Sequence, residues 1–153
     1  MNCVRIICIT LTTLAIGCAG YVDQTARMRG ELRAGNPEGA LSAINKELGI
    51  EKLGDEPDLQ KKNAVLLMLE RATILQALER HKPAAQSFQQ ADNELEVLDL
   101  TSDKIGNIGK FLYSDSATVY KAPAFEKLMV NGLNMLNYLV MANSNGAKIE
   151  ARR

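Results

Sequence analysis

Cys18 is the residue of this 153-residue chain best placed for chemistry, because it closes an apolar run, Ile6 to Ile16, through Leu14-Ala15-Ile16-Gly17-Cys18. Arg5 supplies a positive charge before the run, the run is too short to cross a bilayer, and small Gly17 stands just before the thiol. These features predict an export signal over 1–17 that is removed, leaving Cys18 as the first residue of the mature chain; an ordinary secretory signal cut elsewhere, for instance after Ala19, or a short uncleaved anchor is the alternative. A thiol there is open to alkylation by diacylglycerol and its freed amine to acylation, and several acyl chains hold a protein on a membrane where one does not. Cys3 and Cys8 lie inside 1–17, so no disulfide is expected within a mature subunit. With a single histidine, His81, a zinc site would need carboxylates for most of its ligands, and neither a metal nor another cofactor is expected.

Other reactive groups offer less. His81 falls in a His81-Lys82-Pro83 break between two helical patterns, where a solvated or helix-capping imidazole is expected rather than a catalytic one. Gly106-Asn107-Ile108-Gly109-Lys110 has too few residues between its glycines for a phosphate loop, and Phe111 stands where that loop needs Ser or Thr. The window around it holds Phe111, Tyr113, Tyr120 and Phe125, four of the seven aromatic residues. Rings so clustered either pin a long loop onto a helical core or, beside Asp115, Lys121 and Glu126, line a site for a peptide, a glycan or another protein. Phe111, Tyr113, Tyr120, Phe125 and Glu126 are thus the candidate partner-binding residues. Asp115 with Glu126 is an example of a carboxylate pair that an acid–base glycan reaction could use, and no nucleophile elbow, metal motif or phosphate cradle supports such a reaction. For Glu126, Glu150 and Arg152, ion pairing on a helix surface is expected, with a buried polar network or a binding site as the alternative.

Eighteen basic residues balance eighteen acidic ones with the signs interspersed, which excludes a basic stripe for nucleic acid. Tryptophan is absent and the apolar residues are mainly Leu, Ala, Met and Ile, which suits close helix packing. The period of the apolar positions is helical nearly throughout, so the expected fold class is all-α. Helices are predicted over Val22–Ala34, Glu38–Leu48 with Pro37 opening it, Gln60–Arg80, and from Ala84 through Leu98. Ala40, Leu41, Ile44 and Leu48 form one buried stripe; Ala64, Leu67, Met68, Ala72, Leu75 and Leu78 form another, in what should be the central helix. A further helix over Phe125–Ala142, apolar at Phe125, Leu128, Met129, Leu133, Leu136, Leu139 and Val140, precedes a short one over Ala147–Arg153. The layout is a signal over 1–17, a lipidated tether over 18–21 and a helical domain over 22–153, with hairpins at about 22–48, 60–99 and 124–153 and an irregular loop over 106–123.

Leu14 to Cys18 resembles the bacterial lipobox, although Ala15 stands where leucine is commonest, and Ala19 lacks the acidic character that retains such proteins in an inner membrane. Gly35 to Ile44 and Glu79 to Phe88 resemble the second half of a tetratricopeptide (TPR) repeat, with Ala72, Ala84, Phe88 and Ala91 the best fit and Met28 a departure. Tyr120, Phe125-Glu126, Leu136-Asn137-Tyr138-Leu139 and Ala147 to Arg153 resemble a group of TPR-like bacterial lipoproteins without an assigned activity, whose members continue further. That resemblance implies a fold and a possible truncation, not a reaction. The resulting expectation is a non-enzymatic, lipid-anchored adaptor of the cell envelope, on the outer membrane facing the periplasm. Its partners would be the membrane, through lipid on Cys18, and an envelope protein. A peptidoglycan- or glycan-associated enzyme or activator is the alternative.

Overall fold

The computed structural model describes residues 20–52, 55–61, 63–104 and 122–153, with 98–104 by backbone alone. Among the described residues there are six helices and no strand: α1 (Tyr21–Arg33), α2 (Pro37–Glu47), α3 (Ala64–Ala77), α4 (His81–Lys104), α5 (Ala124–Val140) and α6 (Ser144–Glu150). Each helix packs chiefly on its neighbours in sequence, α1 on α2, α2 on α3, α3 on α4, α4 on α5 and α5 on α6. The expected signal and lipidation site (1–18), Leu98 and the loop residues 106–121 lie outside the described residues or side chains.

Helix starts follow from local chemistry. Asn36 Oδ1 accepts the Gly39 N–H at 3.0 Å, and Pro37, with no N–H to waste, takes the first helical position of α2. Asn143 repeats the device for α6, accepting the Gly146 N–H at 3.0 Å. A Cβ on Gly146 would fall 2.6 Å from the Tyr138 ring, so glycine is what lets the start of α6 close onto α5.

The three hairpins share one turn. The backbone goes left-handed at Gly35 (φ 71°), Glu79 (φ 59°) and Ala142 (φ 55°), each one residue before the cap of the next helix. In each, the following N–H folds back to a carbonyl five residues earlier: Asn36 to Glu31 at 2.9 Å, Arg80 to Leu75 at 2.8 Å and Asn143 to Tyr138 at 2.8 Å. These are Schellman closures, which satisfy carbonyls that a helix end leaves open. Only the first uses glycine; the left-handed region costs a side-chain-bearing residue about 1 kcal/mol.

This turn corrects the expected boundary between the third and fourth helices. The closure stops α3 at Ala77 instead of Arg80, and α4 begins at His81 instead of Ala84. Pro83 does not break α4, because it sits in the first turn, where N–H groups have no partner within the helix, and the Arg80 carbonyl is already taken by the Ala84 N–H at 3.0 Å.

Two apolar clusters hold the fold. Met28, Ala40, Leu41, Ile44, Leu48, Leu67, Met68, Leu75, Ala84 and Ala91 are among the buried residues that join α1 to α4, and Ala72, Phe88 and Val130 join α3, α4 and α5. The predicted stripes of α2 and α3 are thus core, Leu78 being half-buried at its edge. Tyr21 ties α1 to α3, its hydroxyl donating to Glu70 Oε1 at 2.5 Å. Burial first, then the neighbouring carboxylate, pushes its ionisation up.

α5 is turned the other way. Phe125, Leu128, Met129, Leu136, Leu139 and Val140 are 48–71% exposed, while Val130, Asn131, Asn134 and Asn137 face inward. The apolar stripe of this helix is its outer face. Polar anchors hold the inner one: Gln76 Nε2 donates to the Leu133 carbonyl at 3.1 Å, and His81 Nδ1 lies 3.0 Å from Asn137 Oδ1.

Candidate binding groove

A groove of about 780 Å³ lies between α2, α3 and the start of α4, with Met141 also lining it. Leu41, Ile50 and Leu75 give it apolar walls, and a depression of about 520 Å³ continues it along α2 past Asn45 and Ile50. The connection that closes one side is itself ordered locally, Asp55 Oδ2 accepting the N–H groups of Glu51 at 3.0 Å and Lys52 at 2.7 Å.

Arg71 is the candidate functional side chain of this groove. It falls on the same face of α3 as Leu67 and Leu75, one turn from each, so the helix that builds the core also carries a guanidinium to the groove. Its Nε donates to Asn45 Oδ1 at 2.8 Å and its Nη1 to Ser87 Oγ, whose own hydroxyl donates to the Pro83 carbonyl at 2.9 Å. Both partners are neutral. Among the described residues no carboxylate forms an ion pair with Arg71. Burial pulls its pKa down, but a guanidinium has so far to fall that it stays charged. Lys52, Arg80 and Lys82 add positive charge at the rim against Glu51 and Glu79, and Arg80 is already matched by Glu38 at 2.7 Å. The groove therefore carries a positive charge with no ion-paired carboxylate among the described residues. A carboxylate reaching it would make charge-assisted hydrogen bonds in a partly dry site.

A second polar cluster lies beneath α5. Asn134 Nδ2 donates to Glu150 Oε1 at 2.9 Å, and Glu150 is only 3% exposed. Burial raises the Glu150 pKa above the carboxylate norm, opposed by the nearby Arg153 guanidinium and by the Asn134 hydrogen bond. Arg153 itself is held on α4 by Asp92 at 2.6 Å. Glu150 is thus part of a buried polar network, which corrects the surface ion-pair expectation; Arg152 is exposed and apart from it. Asn131 Oδ1, Asn134 Oδ1 and Asn137 Nδ2 are buried with no hydrogen-bond partner.

Of the residues singled out from the sequence, Cys18, Phe111, Tyr113, Asp115 and Tyr120 lie outside the described residues. Phe125 is 63% exposed at the outer start of α5, and Glu126 beside it is half-buried. His81 lies not in a turn but at the first position of α4, on the groove and against Asn137, which makes it a strut between α4 and α5. Sequence reasoning passed over Arg71, although a charged residue one turn from Leu67 and from Leu75 inside an apolar stripe was the available signal. Among the described residues no group of three or more His, Cys, Asp or Glu side chains is placed to hold a metal ion, and no helix is long and apolar enough to cross a membrane. Compared with known proteins, the chain matches no protein-family model, no curated protein and no solved structure.

Proposed function

We propose that this chain is a lipid-anchored scaffold of the bacterial cell envelope, exported by residues 1–17 and held on the membrane by acyl chains on Cys18. Its helical hairpins, TPR-like in arrangement, receive a segment of a protein partner in the Arg71 groove. The observation that carries the binding role is the Arg71 guanidinium, without an ion-pair partner among the described residues, lining an apolar-walled groove of about 780 Å³. Such a groove suits a side chain or chain terminus that brings a carboxylate. The TPR-like reading is supported by helices that pack in chain order and by three hairpins closed with the same left-handed turn. The lipid reading rests on the residues from Arg5 to Cys18. With only Cys18 to Gly20 before α1, the first hairpin would lie close to the bilayer, and so would the partner.

A photo-crosslinking residue placed at exposed Lys82, on the groove rim, tests the reading in native membranes. A discrete crosslinked protein is expected, and Arg71→Gln should reduce its yield about tenfold or more, the loss of one charge-assisted contact. The same residue placed at Lys148 on α6, away from the groove, should not give that product. No discrete product, or one indifferent to Arg71→Gln, would contradict the assignment.

A further inference from the structure

The outer face of α5 is unlike the rest of the described surface. Phe125, Leu128, Met129, Leu136, Leu139 and Val140 make one continuous stripe, and from Leu128 to Val140 the helix carries no ionisable side chain but Tyr138. Side chains of this size, each about half exposed or more, together present on the order of 600 Å² of apolar area. That is at or beyond the largest patch a typical soluble monomer shows, and near the ~800 Å² per partner of a standard interface.

The order of residues along the stripe says what covers it. Turning the helix end for end about Gly132 places Phe125 on Leu139, Leu128 on Leu136, Met129 on Met135, Ala124 on Val140 and Gly132 on itself. Each large residue finds another apolar residue, and the centre falls on the one position of the stripe with no side chain. Nothing lies within 4 Å of where a Cβ on Gly132 would point, so a second backbone has room to approach there. A two-fold interface sets each position against its reversed position, and here every such pair is apolar and uncharged, with glycine on the axis.

We propose that two copies of this chain pair through the outer faces of α5, antiparallel, with the two-fold axis at Gly132. The paired stripe is about 21 Å long from Phe125 to Leu139. No like charges oppose one another along it, and antiparallel helix dipoles set opposite partial charges together at both ends. The pairing is independent of the Arg71 groove, which lies on α2, α3 and α4.

Cysteine crosslinking of the full lipidated chain in its native membrane decides the matter. At the usual 8–10 Å between packed axes, the two Gly132 Cα atoms come within disulfide reach. Gly132→Cys should therefore form, on mild oxidation, a product of twice the chain mass, far above the chain carrying only its native cysteines. Leu128→Cys and Leu136→Cys should each stay monomeric alone, since identical positions then lie about 12 Å apart along the axis, and should crosslink when the two variants are co-expressed. A thiol at exposed Gln86 on α4 is the control and should not crosslink. All these sites are exposed or open, so the fold tolerates them; far-ultraviolet circular dichroism checks that it does. A monomeric Gly132→Cys, crosslinking no better than at Gln86, or a product joined to a different protein or to another part of the same chain, would overturn the pairing.

Discussion

Phe88→Ala is expected to lower the unfolding free energy by about 3–5 kcal/mol, the usual cost of emptying a buried aromatic site. Phe88 is 1% exposed and packs with Ala72 and Val130, so one ring joins α3, α4 and α5. Among the described residues Leu69 and Leu133 are the other apolar side chains packed at this cluster, and the rest of the inner face of α5 is asparagine. A cavity here is poorly refilled: Ala72 is already small, and Val130 is fixed by the hydrogen bonds of its helix. Since a domain of this size is stable by only about 5–15 kcal/mol, the loss is a large share of the total. Urea denaturation should show a fall in midpoint at little-changed slope. Val22→Ala, on the 64% exposed outer side of α1, should stay within about 0.5 kcal/mol of the parent. A Phe88→Ala cost below about 1 kcal/mol would mean that the three helices do not meet at this ring.

The second large effect concerns the carboxylate under α5. Glu150 is buried with a pKa raised above 4.5, chiefly by desolvation, so the folded chain holds its proton at a pH where the unfolded chain has released it. Its contribution is fully present below about pH 4.5 and is lost as pH rises through the raised folded value. Glu150→Gln keeps an oxygen to accept from Asn134 and removes the buried charge, so it should flatten that slope and leave the protein at least as stable at neutral pH. Asn134→Ala does the reverse. It takes away a donor that favours the ionised form, driving the Glu150 pKa further up, and leaves a buried acceptor bare. It should cost roughly 2–3 kcal/mol at neutral pH and less at pH 4. In the Glu150→Gln background that cost should shrink by on the order of 1 kcal/mol, the coupling of two groups in contact. Equal costs at both pH values and in both backgrounds would show that the Asn134–Glu150 contact does not govern this carboxylate.

How far the fold can be read from the sequence differs sharply between its halves. In α2 and α3 the stripes Ala40-Leu41-Ile44-Leu48 and Leu67-Met68-Ala72-Leu75 are both apolar and inward, so period and burial coincide. In α5 the period from Phe125 to Val140 marks a real helix, but periodicity reports only that one side is apolar. Which side meets the core is settled by partners far away in sequence: His81 for Asn137, Gln76 for the Leu133 carbonyl, Glu150 for Asn134. None of these pairings leaves a local signature. The start of α4 escaped for a related reason, because Pro83 reads as a break unless the left-handed turn at Glu79 has already set it in a first helical turn.

The candidate site divides along the same line. Asn36, Pro37 and Gly39 announce their turn by type and spacing, whereas the groove depends on Asn45, Arg71 and Ser87 arriving together from three helices. An arginine in helix α3 looks like any solvated charge until its neighbours are seen to be neutral.

The membrane address of the chain is tested most directly by the intact mass of the protein extracted from native membranes, beside a Cys18→Ala variant. The predicted result is a mass beginning at Cys18 and increased by a diacylglyceryl group and an amide-linked acyl chain, with Cys18→Ala shifting to the soluble fraction. An unmodified, uncut chain that fractionates just as Cys18→Ala does would contradict it.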